Sequence, residues 1–166
     1  MTLTLGTIDA LRALQHQIGR ANTEKGFHEE GKSIRSLPRL MSGVHHPLLA
    51  PVVNTVVKLI PAIERNYWTA RLALLTTEVA EAIEELRNGR AVDLTYYPTN
   101  LENNGAFEGN GEDLIIPKPE GVPSEIADVV IRAFDFADEA GIDLATIIEA
   151  KLTYNASRPK MHGRKF

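Results

Sequence analysis

The chain has 166 residues, 43% of them hydrophobic and 24% charged, with a formal net charge of −4; that length suits one domain with one core, and the single-domain expectation covers residues 1–166. The absence of cysteine excludes disulfides, thiolate metal sites and cysteine nucleophiles. Without a charged n-region at the N-terminus, and with no uninterrupted apolar run of about 18 residues, neither export nor a membrane span is expected and the cytoplasm is the expected location.

Charge is unevenly spread. Residues 151–166 hold five cations and no acid, so the rest of the chain carries −9 against the total of −4. A short basic tail, 159–166, on an acidic body makes nucleic acid an unlikely partner, since a nucleic-acid surface would show a broad basic face with interleaved aromatics.

In chain order, apolar residues at Ile8, Leu11, Leu14 and Ile18 predict an amphipathic helix from Ile8 to about Arg20, with Thr7 as its N-cap and Gly26 ending it. The stretch GFHEEGKSIRSLPRLMSGVHHP reads as an irregular or partly helical connection, with His45 and His46 as surface residues. Leu48 to Leu59 suits a buried helix with Pro51 in its first turn, and Pro61 marks a new start or a kink. Ile63 to Leu86 is the clearest long helix, with Trp68, Leu72, Leu75, Val79, Ile83 and Leu86 at steps of three and four and Gly89 as its stop. Trp68 belongs to that apolar stripe and Tyr67 lies nearer its acidic edge. Residues 91–121, rich in Asn, Gly and Pro, read as a long loop insertion with room for a short hairpin. Pro123 and Ser124 open a further helix to about Ala140, and a last helix runs from about Asp143 to Ser157, ahead of Pro159. With no alternation of strands and helices, the fold class is all-α, a helical bundle.

Two acidic pairs stand out, Glu78 and Glu81 in TEVAEAIEEL and Glu125 and Asp128 in SEIADVVIRAF. At i, i+3 each pair shares one side of its helix, while Val79, Ala82, Ile83 and Leu86, and correspondingly Ile126, Val129, Val130 and Ala133, form stripes about 90° away. Packing of the two stripes would bring both acidic edges to one rim. Four carboxylates together repel one another unless a cation joins them, and all-oxygen ligands suit Mg²⁺, or Mn²⁺ as substitute, with substrate phosphates completing the shell. One pair alone is more simply a solvated charged face; the duplicated geometry is what raises it above that. Glu81 and Glu85 are both candidates for the general base. Arg132, four residues after Asp128, either reaches a phosphate or base or forms an ion pair with Asp128. Lys151, Asn155 and Arg158 fall on one face of the last helix, suited to triphosphate and base or sugar contacts or to offsetting the helix dipole.

These residues, Glu78-x-x-Glu81, then Glu125-x-x-Asp128 within PEGVPSEIADVVIRAFDFADEAGIDL, then KLTYNASRPKMHGRKF, resemble the MazG-like nucleotide pyrophosphohydrolases of the all-α NTP pyrophosphatase superfamily over roughly 63–89 and 119–166, with a weaker echo in ANTEKGFHEE. The resemblance implies Mg²⁺-dependent hydrolysis of nucleoside triphosphates to monophosphate and pyrophosphate by water attack at the α-phosphorus, in a homodimer or homotetramer. It implies Glu78, Glu81, Glu125 and Asp128 as metal ligands and catalytic groups, and Lys151 and Asn155 as nucleotide contacts. The insertion between the two metal-binding helices is longer than in most compact members, so pocket shape and base preference transfer less well than the metal site. Two other functions compete: a catalytically silent metal- and nucleotide-binding regulatory homologue, and a helical binding module acting through the basic C-terminus.

Overall fold

A computed structural model describes residues 3–98 and 117–159. Most of the 91–121 insertion and all but the first residue of the 159–166 tail, including His162, Arg164 and Lys165, lie outside the described residues. Among those described, the fold is all-α: α1 (Leu5–Glu24), α2 (Glu29–Ser42), a 3₁₀ turn (Pro47–Leu49), α3 (Ala50–Arg87), α4 (Val122–Glu139) and α5 (Leu144–Ser157). The residues group into two compact units, Met1–Arg71 with Ala133–Phe166, and Leu72–Arg132, so the division falls inside α3 and α4.

In the first unit, α1 begins three residues earlier than its apolar pattern suggests. Thr4, not Thr7, is the N-cap: its hydroxyl oxygen accepts from the backbone N–H of Thr7, three residues on, at 3.2 Å. Gly26, at φ +83°, follows the helix end as expected. The buried line of α1 is Ile8, Gln15 and Gly19. Gln15 is buried without penalty because its side-chain N–H donates to the Ile142 carbonyl at 2.8 Å and its oxygen accepts from the Leu144 N–H at 3.3 Å. Those two bonds hold α1 against the start of α5. Arg12 adds a fork onto Asp143, at 2.7 Å for the shorter ion pair, and Asp143 is itself the N-cap of α5.

Residues 29–42, expected to be irregular or partly helical, form the helix α2. The reason lies in a polar anchor that hydrophobic periodicity does not register. Arg35 on α2 pairs with Glu139 at 3.2 Å, Tyr67 donates to the same carboxylate at 2.5 Å, and Arg71 pairs with both Glu139 and Asp135. His28, just before α2, meets Asp135 at 2.8 Å through Nε2 and the Thr23 hydroxyl at 2.7 Å through Nδ1. Burial and then the Glu139 carboxylate push the Tyr67 hydroxyl up to about 12, so it remains a donor. Trp68 is half-buried edge-on to Phe136 at 5.3 Å, in keeping with a core role. Tyr67 is the more deeply buried of the two aromatics. His45 and His46 are exposed as expected.

The two helices expected at 48–59 and 63–86 are one, and Pro61 lies inside α3. A proline removes one backbone donor yet leaves the helix unbroken when the turns on either side keep their bonds. Lys58 and Glu64 interrupt the apolar residues of this segment, so the expectation of no uninterrupted apolar run of about 18 residues is unchanged. Within Pro47–Arg87 an 18-residue window reaches a mean hydropathy of 1.4, long and apolar enough to span a bilayer by length and composition, with only 6% of it buried.

Among the described residues of the second unit, Ala82 of α3 and Val122 of α4 are the buried apolar ones. The described ends of the insertion meet in a single antiparallel bridge, Tyr96 to Glu120, with N–H···O contacts of 3.1 and 2.9 Å. Directly after it Gly121 takes φ +106°, where any Cβ would strike the Leu94 carbonyl. That turn launches α4 at Val122, one residue ahead of Pro123.

Candidate metal centre

Most residues of the α3 and α4 stripes in this unit are exposed, against the sequence expectation that the stripes pack together. Val79, Ile83 and Leu86 are 43–47% exposed, and Ile126 and Val130 are 51% and 47% exposed, whereas Glu78 and Glu125 are only 4% and 2% exposed. Glu78 and Glu125 face inward while Val79, Ile83, Leu86, Ile126 and Val130 face outward; Ala82 of the α3 stripe stays buried, Val129 and Ala133 of the α4 stripe are half-buried, and Glu81 of the acidic edge is exposed. A helix pair buries carboxylates in place of aliphatics only when something offsets the desolvation cost.

Glu78 from α3 and Glu125 and Asp128 from α4 each offer a carboxylate oxygen such that these atoms lie within 4.8 Å of one another. The i, i+3 spacing on α4 places Glu125 and Asp128 one above the other on the side turned to Glu78. Oε2 of Glu125 is buried with no hydrogen-bond partner. Burial pushes the Glu125 carboxyl above its usual range; Lys118 opposes this, and the charges of Glu81, Asp128 and Glu120 add to it. A buried, orphaned oxygen beside two further carboxylates is a donor set that fits a hard divalent cation. By that test Glu78, Glu125 and Asp128 would hold it.

Glu81 is exposed and stands outside this trio, though its charge is felt at Glu125. Glu85, considered as a base, is engaged elsewhere. Arg90 sits 3.0 Å from its Oε2, Tyr96 donates to its Oε1 at 3.3 Å, and the Arg90 guanidinium stacks over the Tyr96 ring at 3.9 Å. Arg132 pairs with Glu78 across the helices, Nε to Oε1 at 2.7 Å, and not with Asp128 on its own helix.

Lys151, Asn155 and Arg158 are exposed and belong to the other unit. Lys151 and Arg158 both flank the ring of Tyr154, each 5.7 Å from its centroid. Sequence reasoning missed Lys118, which pairs with Glu120 at 3.1 Å and whose ammonium is held more basic by Glu120 first, and also by Glu125 and Glu81. Its signal was its place in PKPEG, directly ahead of the second acidic helix, where a lone lysine among prolines carries no periodicity to read.

Comparison of the chain with protein-family models, with curated proteins and with solved structures finds no match to any of the three.

Proposed function

We propose that the chain is a Mg²⁺-dependent nucleoside triphosphate pyrophosphohydrolase of MazG-like type, releasing pyrophosphate and a nucleoside monophosphate from an NTP or dNTP. The single observation that carries this reading is the trio Glu78, Glu125 and Asp128, with its buried and unpartnered Glu125 oxygen. Isolated acidic clusters on helix surfaces remain solvated; here Glu78 and Glu125 are taken out of water and one Glu125 oxygen is left unsatisfied, a cost that a bound divalent ion removes. When bound, such an ion supplies Lewis acidity towards phosphate oxygens and water.

The chain's own residues then have distinct tasks. The three carboxylates would hold the ion against which the phosphate is oriented, and the burial of Glu78 and Glu125 limits access of bulk water to it. Glu81, exposed and ionisable beside the trio, is the candidate to take the proton from the attacking water as the α-phosphorus bond to the pyrophosphate oxygen breaks. Lys118 and Arg132 are cations at the edge of the same cluster, suited to the leaving pyrophosphate. Lys151 and Asn155 are proposed to contact the nucleotide, as the resemblance implies, and Arg158 is proposed with them because it shares their helix face.

The same reading includes self-association. Exposed Val79, Ile83, Leu86, Ile126 and Val130 are an apolar face of the helices that carry the site, and a second copy of the chain, as homodimer or within a homotetramer, is the proposed cover.

The test is pyrophosphate release from a panel of NTPs and dNTPs with Mg²⁺. Glu125→Gln and Asp128→Asn are each expected to cut the rate by about 100-fold or more, the scale of losing a transition-state charge partner. Glu81→Gln is expected to lower kcat with little change in metal binding. An intact chain that releases no pyrophosphate from any of the panel would overturn the proposal.

A further inference from the structure

Resting on the metal-site reading above, we infer that Arg132 is a latch on that site: its guanidinium holds Glu78 while no divalent ion is present, competes with the ion for that carboxylate, and passes to the substrate's phosphates once the ion has taken Glu78. Four observations support this. Arg132 reaches across to Glu78 at 2.7 Å although Asp128, four residues before it on α4, is the ordinary helical partner. Its target is almost wholly buried, with a side chain 5% exposed, while the Arg132 side chain is 40% exposed. One end of the pair is therefore fixed and the other has room to leave.

The third observation is the contrast within the trio. Glu78 has a cation on Oε1 and a contact from the Thr77 hydroxyl at 3.3 Å, whereas Oε2 of Glu125 has no hydrogen-bond partner and is nonetheless buried. One arginine neutralises a single member of a site built for more positive charge than it supplies. Fourth, Lys118 is paired with Glu120 in the same way, its charge felt at Glu125. A divalent ion concentrates two charges on the carboxylates and releases the planar fork of Arg132, whose geometry matches a phosphate better than a single carboxylate oxygen.

The prediction is a pair of opposite signs. Titrated with Mn²⁺ alone and followed by electron paramagnetic resonance, full-length Arg132→Gln is expected to bind the ion about tenfold more tightly than the intact chain, the scale of one part-buried charge pair. In saturating Mg²⁺ the same variant is expected to bind inorganic tripolyphosphate about tenfold more weakly, having lost a phosphate donor. If Arg132 merely props Glu78 in position, Arg132→Gln binds Mn²⁺ more weakly or equally, and the latch is overturned while the hydrolase reading stands.

Arg132→Lys provides a second variant should the glutamine substitution lower helicity in circular dichroism. Its compact ammonium keeps charge but loses the fork, so Mn²⁺ binding is expected to tighten by a few-fold; equal or weaker binding by the folded lysine variant also overturns the latch. An intact chain that takes up no Mn²⁺ at millimolar concentration removes both the latch and the metal-site reading beneath it.

Discussion

Glu125 is held at a disadvantage by its surroundings. Its carboxyl is buried, unpartnered on one oxygen and close to other acids, so its protonation equilibrium is shifted towards the neutral form relative to an unfolded chain. A carboxyl whose folded value lies above its unfolded value of about 4.3 contributes full stability below that value and loses it as the pH rises through the folded value. Metal-free protein should therefore lose stability relative to Glu125→Gln between acid and neutral pH. Thermal melts of both proteins in EDTA at pH 4.5 and pH 7.5 check this: the variant is expected to melt higher at pH 7.5, with the gap narrowing at pH 4.5. A gap independent of pH would mean that burial of the carboxylate is not what strains the site. Site residues that reduce stability are expected where function needs an unsatisfied group.

Among the elements, the helices carrying the acidic pairs, the last helix and the glycine stop Gly89 were legible from apolar spacing and terminal residues. α2 was not, because Arg35, His28 and their buried acids are polar, and periodicity of hydrophobics is blind to a polar anchor. The same blindness hid the burial of Glu78 and Glu125: Ala82 packs inward as its stripe suggests, yet Val79, Ile83, Leu86, Ile126 and Val130 are exposed, because which side faces inward is decided by what each chain can cover. The union of two expected helices across Pro61 reflects tertiary support overriding a local breaker. Two substitutions probe the element scale. Gly31 lies where a Cβ would meet the Tyr67 hydroxyl at 2.6 Å and the Glu139 carboxylate, and Arg35 and Arg71 hold that carboxylate so that it has little freedom to yield. Gly31→Ala is expected to cost about 1–3 kcal/mol, read as a lower urea midpoint with unchanged slope. Asp143→Ala removes the α5 N-cap, whose oxygen accepts from the Thr146 N–H at 3.3 Å, together with the Arg12 partner, and is expected to lower the urea midpoint.

For the molecule as a whole, the metal centre and the uncovered apolar stripe lie on the same two helical segments. Any ligand that binds the folded form stabilises it by mass action, about 2.7 kcal/mol at a hundred times its Kd, and for a chain of this size each kcal/mol raises Tm by about 2–4 °C. Saturating Mg²⁺ is therefore expected to raise Tm by about 5–11 °C for the intact chain and by little for Asp128→Asn. Because the proposed second copy also binds only folded chain, Tm is expected to rise with protein concentration as well, and sedimentation equilibrium should report a species heavier than 18.3 kDa. A Tm independent of both ion and concentration would contradict the reading at this scale.

The outward stripe also bears on which substitutions the chain tolerates. Exposure ordinarily marks the positions where sequence can drift, and on that measure Val79, Ile83, Leu86, Ile126 and Val130 would accept almost any polar residue. If a second copy covers them, they obey the rules of an interior: in a saturation library scored for activity, Asp or Lys at these five positions is depleted as strongly as at buried Ala82 or Val122, while other exposed positions such as Arg87 and Ala127 accept charge freely. Selection, acting on the assembly, would then have written a second core onto the outside of a single chain.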